Sequence, residues 1–329
     1  MMRMGMQQKL AQCEYNRICL VAADKQEYMF LRRWAAKGYL CNPFSNYYAR
    51  AVYWQSIPAA ECTRIVARTM GQRHPNRIFG GLTAACLWQL EHSTYLDRGG
   101  EIIVSSASNR RAPSHNGKLR TAYLPDWEHE SVQSRDGVNV TGIKRTLLDC
   151  GRSYEFRHAM AFFDSAIAQG LVVRDELLEY LETPRLGVCQ DKALLVAQHA
   201  TGLSENGGES FCYATMLEEG FPNVRQQVEF VNPRDPNDRR RADFVAVRAD
   251  GRLVVIEFDG MRKYDDPTMT GGRTTGEVVA DERRREETLQ TCGVAEIVRC
   301  TFEEVRRRSP LVNKLVAAGL PREAGLNTA

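Results

Sequence analysis

A chain of 329 residues, 43% hydrophobic and 26% charged, has room for two or three domains with buried cores, which excludes a disordered or low-complexity protein. No run of eighteen apolar residues occurs, and the start MMRMGMQQKLAQCEYNR lacks a signal-peptide apolar segment, so a cytoplasmic protein with no membrane partner is expected. The ten cysteines form no CxxC pair and none stands at a zinc-finger interval from a histidine, which predicts free thiols.

The formal charge of +3 is uneven, roughly +6 over residues 1–200 and roughly −3 over 201–329. A DNA partner would therefore dock on the N-terminal part, because Lys and Arg supply most non-specific affinity by neutralising phosphates. Residues 27–37 read as a helix closed by Gly38, and the aromatic, alternating stretch 39–54 reads as a small hairpin. Together they suggest a winged-helix-like segment over 1–57. Pro58 opens a second helix, and 78–90 reads as an apolar, Ala-rich third. Strands are expected at 101–105 and 120–124, then helices near 145–152, 155–169, 174–182 and 190–200. This gives an α+β middle domain over 58–201. Arg145 and Asp149, four apart on one helix, are read as a structural ion pair.

The Gly/Ser-rich stretch 202–208 is the expected boundary of a third domain, 202–310, followed by a tail over 311–329. That domain reads as a helix at 208–219 stopped by Gly220, a strand at 225–231, a hairpin at 242–259, a helix at 278–291, a strand at 294–300 and a last helix from 302. In the hairpin, two β-branched runs flank Ala249-Asp250-Gly251. Loops of two to four residues pair positions whose numbers sum to about 499 to 501. The three-residue loop, with Gly251 left-handed, sets Asp243 across from Glu257, and the strand period adds Asp259 to that face. Like charges across a strand pair destabilise it unless a cation or shared proton neutralises them. Hard oxygen donors predict Mg²⁺ or Mn²⁺ on Asp243, Glu257 and Asp259. With Glu209 on the preceding helix and Lys263 beyond the second strand, the inventory suits metal-assisted phosphodiester hydrolysis. The other reading of the same residues is a solvated outer face of an amphipathic hairpin.

These residues resemble the very-short-patch-repair-endonuclease-like branch of the PD-(D/E)XK nuclease superfamily. The matches are Glu209 in SENGGES, Gln227 in GFPNVRQQV, Asp243-Phe244, Glu257-Phe258-Asp259-Gly260, DERRREETL (281–289) and the IVR of 297–299. The resemblance implies an α/β restriction-endonuclease-like mixed sheet flanked by helices. Its departures are Asp259, where the superfamily label has lysine, and Lys263, where many relatives have histidine. Gln227 and one arginine of the charged helix, here assigned to Arg284, are expected to contact DNA.

The first 200 residues resemble the abortive-infection AbiEi antitoxin-like family through the winged-helix-like start, Thr83-Ala84-Ala85-Cys86-Leu87-Trp88, and the run VTGIKRTLLD of 140–149. That resemblance implies DNA binding by the winged helix, with Arg32, Arg33, Lys37 and Arg50 on phosphates, and a toxin partner or homo-oligomer. No GxxxxGK[ST] loop, HExxH, Cys/His pairing or GxSxG elbow is present. Two functions follow as expectations, in bacterial defence or DNA repair. One is a divalent-metal-dependent DNA endonuclease. The other is a non-catalytic DNA-binding regulator or antitoxin with a degenerate nuclease domain.

Overall fold

The computed structural model describes residues 4–107, 118–184, 189–259 and 275–328. The chain divides into two units, one of residues 1–154 with 171–194 and one of 155–170 with 195–329. Both are mixed α/β.

The first unit begins with α1 (Met4–Tyr15), β1 (Leu20–Val21), α2 (Lys25–Ala36), β2 (Leu40–Phe44) and β3 (Tyr47–Arg50). The strands form an antiparallel sheet in the order β1-β3-β2. Asp24 caps α2 by accepting from the Glu27 N–H, and the Glu27 carboxylate accepts in turn from the Ala23 N–H at 2.7 Å, so two orphan donors at the helix start are satisfied. Leu10, Leu31, Leu40 and Tyr48 form the core between helices and sheet. The helix and hairpin expected over 1–57 are therefore present.

After α3 (Ala51–Ser56) and α4 (Ala59–Arg73) come β4 (Ile78–Phe79), α5 (Gly81–Leu87), β5 (Ile102–Ser106), β6 (Leu119–Tyr123), β7 (Gln133–Arg135) and β8 (Val138–Val140). They make a five-stranded mixed sheet in the order β6-β5-β4-β8-β7. The helix expected over 78–90 is corrected here. Ile78 and Phe79 are instead a strand that pairs with β5 and β8, and the helix starts only at Gly81. Every residue of α5 is buried, so its apolar run records burial on all sides rather than one helical stripe. At Gly80 a Cβ would lie 2.2 Å from Ser105 Oγ, so the glycine is what lets strand and helix join in that space.

The helix α6 (Ile143–Ser153) carries Arg145, whose Nε donates to Asp149 at 3.0 Å and whose Nη1 donates to Glu128 at 2.9 Å. The ion pair expected from the four-residue spacing is thus present, and it is buried within a larger network. Burial opposes the Arg145 charge, and Asp149 and Glu128 outweigh it, holding the guanidinium above its ordinary value.

The second unit takes α7 (Phe156–Ala168) from the middle of the chain, while α8 (Arg174–Leu181) belongs to the first unit and α9 (Gln190–His199) leads back into the second. Then follow α10 (Gly207–Glu218), β9 (Arg225–Asn232), β10 (Asp235–Val247), β11 (Leu253–Asp259), α11 (Thr275–Thr291), β12 (Val294–Thr301), α12 (Phe302–Arg307) and α13 (Ser309–Ala317). The sheet order is β12-β11-β10-β9, antiparallel except for the parallel pair β11 and β12. Val254, Val255 and Ile256 are each fully buried, as in a central strand covered on both faces. Leu289 of α11 packs with Val245 and Val255, and Tyr213 of α10 stacks on Phe244.

Two expected boundaries are corrected. The stretch 202–208 is not a linker, because the Asp164 carboxylate of α7 accepts from the Thr201 and Gly202 N–H groups and from the Ser204 hydroxyl at 2.8 to 3.0 Å. The segment 311–329 is not a loose tail. Leu311, Leu315 and Leu320 are buried, and the Glu323 N–H donates to Gly220 O at 2.8 Å. Gly220 ends α10 at φ +86°, and a Cβ there would lie 2.1 Å from Glu323 O.

Candidate metal centre

The hairpin register is the one a three-residue loop dictates. Phe244 pairs with Ile256, Val245 with Val255 and Ala246 with Val254, while the Arg248 N–H donates to Arg252 O around Ala249, Asp250 and Gly251, with Gly251 at φ +83°. One step further, Asp243 faces Glu257. On the other side of β10, Ala242 pairs with Val228 and Phe244 with Gln226, which sets Gln227 beside Asp243. Glu257 pairs with Arg299 on β12. A polar row, Gln227, Asp243, Glu257 and Arg299, therefore crosses all four strands.

Glu209 from the first turn of α10 meets this row at Gln227, whose Nε2 donates to Glu209 Oε2 at 2.9 Å. The Glu205 N–H and Asn206 Nδ2 also donate to the Glu209 carboxylate. Asn206 fixes the helix start, its side chain accepting from the Gly208 and Glu209 N–H groups. Gln227 holds φ +51° within β9, a left-handed conformation rare for a non-glycine residue and costing on the order of 1–3 kcal/mol.

Asp243 Oδ2 accepts from the Phe258 N–H at 2.9 Å. Glu257 is held by Arg285, which also donates to Arg241 O at 3.0 Å, and by Arg299 at 3.5 Å. Arg299 in turn pairs with Glu282 and Glu286 of α11. Thus Arg285 turns to the row, whereas Arg284, the arginine singled out from the sequence, is exposed. Gln227 faces Glu209 rather than open solvent.

Three carboxyls stand above their ordinary range. Burial raises Asp243, assisted by Asp259, against the Phe258 N–H and the Arg285 and Arg241 charges. Burial raises Glu257 against Arg285 and Arg299. Burial and then the Asp243 charge push Glu209 up to about 7, against its bonds from Gln227 and Asn206. A carboxyl raised in the folded state contributes stability that is complete below its ordinary 4.5 and is lost as the pH rises through about 7. The Glu209 resonance is accordingly expected to titrate near neutrality in isotope-edited NMR, with the second unit losing stability over that window. A midpoint at the ordinary value would refute the burial of Glu209 beside Asp243.

Among the described residues, Asp243, Glu257 and Asp259 do not form a group of donors lying within 4.8 Å of one another; the one such group joins Cys86, His92 and Asp97 in the first unit. The expected convergence of three carboxylates is therefore replaced by a row in which Arg285 and Arg299 neutralise Glu257. Asp259 pairs with Thr301 at the strand end, and Lys263 lies outside the described residues. No family model matches this chain, and no curated protein does.

Asp243 and Glu257 are donors of the type a hard divalent cation takes. Mg²⁺ is commonly held by one or two carboxylates with water and substrate oxygens completing the shell, and Asp243 and Glu257 supply such a pair. Gln227 Oε1 and Arg285 Nε are buried without a hydrogen-bond partner, a polar acceptor and a polar donor beside the pair. Of the other expected contacts in the first unit, Arg32, Arg33 and Lys37 are exposed on or just after α2, while Arg50 makes a forked pair with Glu14. Sequence reasoning missed Arg285, Asn206 and the Cys86 group. Arg285 was visible only as one of three adjacent arginines.

Proposed function

We propose that the second unit is a divalent-metal-dependent DNA endonuclease of the PD-(D/E)XK type, acting through Asp243 and Glu257. The observation that carries this reading is the half-buried carboxylate row of Asp243 and Glu257 beside the buried Glu209, with all three acids held above their ordinary range, an arrangement that costs stability and is typical of functional sites. The sheet order and the parallel pair β11 and β12 agree with it.

In this reading Asp243 and Glu257 hold Mg²⁺ or Mn²⁺. The cation, when bound, lowers the pKa of a water and draws charge from the phosphoryl group. Arg285 leaves Glu257 for a phosphate oxygen, using its unpartnered Nε, because a guanidinium matches phosphate geometry. Glu209, titrating near neutral pH beside Asp243, accepts the proton released as water attacks. Gln227 keeps Glu209 oriented. Arg32, Arg33 and Lys37 of the first unit add phosphate contacts that weaken with salt.

One observation favours a second reading. Arg285 and Arg299 already neutralise Glu257, so the row is balanced without a cation. That suits a DNA-binding regulator or antitoxin whose nuclease site has lost its chemistry. The two separate on purified full-length protein incubated with plasmid and linear duplex DNA in Mn²⁺, Mg²⁺ or chelator. Cutting in metal alone supports the endonuclease. Retarded migration of the DNA with no cutting in any metal overturns it in favour of the regulator.

A further inference from the structure

Cys86 lies in the last turn of α5, His92 in the loop beyond it, and Asp97 in a short 3-10 helix, Leu96–Gly99. Their donor atoms meet at one point. His92 Nε2 is 3.1 Å from both Asp97 oxygens and 3.9 Å from Cys86 Sγ, which is 3.6 Å from Asp97 Oδ1. All three side chains are buried, with His92 and Asp97 exposed by 3% and 1%.

His92 Nδ1 lies 2.7 Å from Leu90 O. A carbonyl only accepts, so Nδ1 carries hydrogen and Nε2 is the nitrogen turned to the carboxylate and the thiol. Three arrangements bring a thiol, an imidazole and a carboxylate together. A nucleophile triad would place the carboxylate on Nδ1 and the sulfur on Nε2, but here the carbonyl takes Nδ1 and both other groups share Nε2. A buried imidazolium–carboxylate pair, with the Cys86 thiol donating to Asp97 Oδ1 at 3.6 Å, holds the same three groups without an ion, and a metal titration separates it from coordination. A coordinated histidine has its free N–H on a backbone carbonyl, as His92 does.

The spacing agrees with the third arrangement. Zinc bonds of about 2.0 to 2.3 Å at tetrahedral angles place neighbouring N, O and S donors about 3.3 to 3.6 Å apart. The observed separations of 3.1, 3.6 and 3.9 Å bracket that range. A thiolate and a carboxylate together balance a doubly charged ion, which removes the cost of burying unpaired charge. A cavity of about 290 Å³, lined by Cys62, Asp97, Gly100 and Lys118 among others, reaches the cluster at Asp97.

We propose that Cys86, His92 and Asp97 bind one zinc ion in the first unit, with a water as its fourth ligand. Sulfur and imidazole select zinc or cobalt over magnesium, so the site is chemically distinct from the carboxylate row and does not depend on the nuclease reading.

The test uses metal-stripped full-length protein titrated with Co²⁺. One equivalent is expected to develop a thiolate-to-cobalt charge-transfer band and intense visible bands of a tetrahedral ion, and Zn²⁺ is expected to abolish both. Cys86→Ser loses the charge-transfer band, while Cys62→Ser and Asp243→Asn keep it. Zinc also raises the thermal midpoint seen by tryptophan fluorescence in the wild type and leaves Cys86→Ser unmoved. X-ray absorption on zinc-loaded wild type needs no variant and is expected to show one sulfur neighbour with nitrogen and oxygen. A wild-type cobalt form without the band, a band that survives Cys86→Ser, or zinc with no sulfur neighbour overturns the assignment.

Discussion

Arg145→Met is expected to destabilise the first unit by about 3 to 5 kcal/mol, the range for removing one member of a buried ionic network. Arg145 is 3% exposed and sits between Glu128 and Asp149, with its third nitrogen on Tyr123 O. Methionine fills a similar volume, so packing is largely kept, and the loss comes from two buried carboxylates left with fewer partners. Arg152 still reaches Asp149, and Tyr180 still donates to Glu128, so neither acid is wholly abandoned. All four tryptophans, Trp34, Trp54, Trp88 and Trp127, belong to the first unit, so denaturant unfolding followed by tryptophan fluorescence isolates it. The pH dependence supplies the sign. Burial already holds Asp149 above its ordinary value, and losing Arg145 removes the largest charge that opposes this, so more stability is lost as the pH rises through its folded value. The gap to wild type must therefore narrow in acid and widen toward neutrality. A pH-independent gap would mean that lost packing, not unpaired charge, is the cause. Replacing Glu128 and Asp149 by their amides in the same background is expected to recover much of the loss.

The sequence carried the hairpin in full because strand register is arithmetic. An alternating pattern with one turn and one left-handed glycine leaves few pairings, and the pair Asp243 and Glu257 follows from the sum that the loop sets. The helix of 208–219 was equally legible, since Gly220 marks its end. The same reading failed at Ile78 and Phe79. An apolar run buried on every side has no period to reveal, and only pairing with β5 and β8 decides it. The boundary at 202–208 misled for a related reason. Its glycines and serines read as a linker, and the Asp164 bonds that pin it come from almost forty residues earlier.

At the site, local signals gave the acids, and long-range packing gave their partners. Nothing in the run Arg283-Arg284-Arg285 tells which arginine faces β11, because that depends on where α11 docks; Arg285 does, and Arg284 is exposed. Cys86, His92 and Asp97 fit no familiar ligand spacing, and they meet only because the chain doubles back between α5 and the 3-10 helix. The free thiols that were expected are found at all ten cysteines, and one of them, Cys86, lies in a donor cluster that no spacing announced.

Asp243→Asn is expected to reduce metal-dependent cutting by on the order of 100-fold or more, exceeding the 10- to 100-fold typical when a group one step behind a metal ligand is changed. Glu209→Gln removes the group that accepts the proton and is expected to cost on the order of 100- to 10,000-fold. The asparagine retains an oxygen to accept the Phe258 N–H, so the hairpin is kept. What it removes is a buried charge that the fold disfavours, since burial and Asp259 both raise the Asp243 carboxyl. Neutralising it should raise the thermal midpoint of the second unit at neutral pH while activity falls, the trade expected where a functional site is held at a cost in stability. These two readouts come apart usefully. Cutting that persists within a few-fold in Asp243→Asn refutes its role as a ligand. A higher midpoint with no cutting in the wild type shows that the strained acid is real and that chemistry at the row has been lost. A lower midpoint contradicts the electrostatic account itself, because only a carboxylate that the fold favours would be missed when its charge is removed.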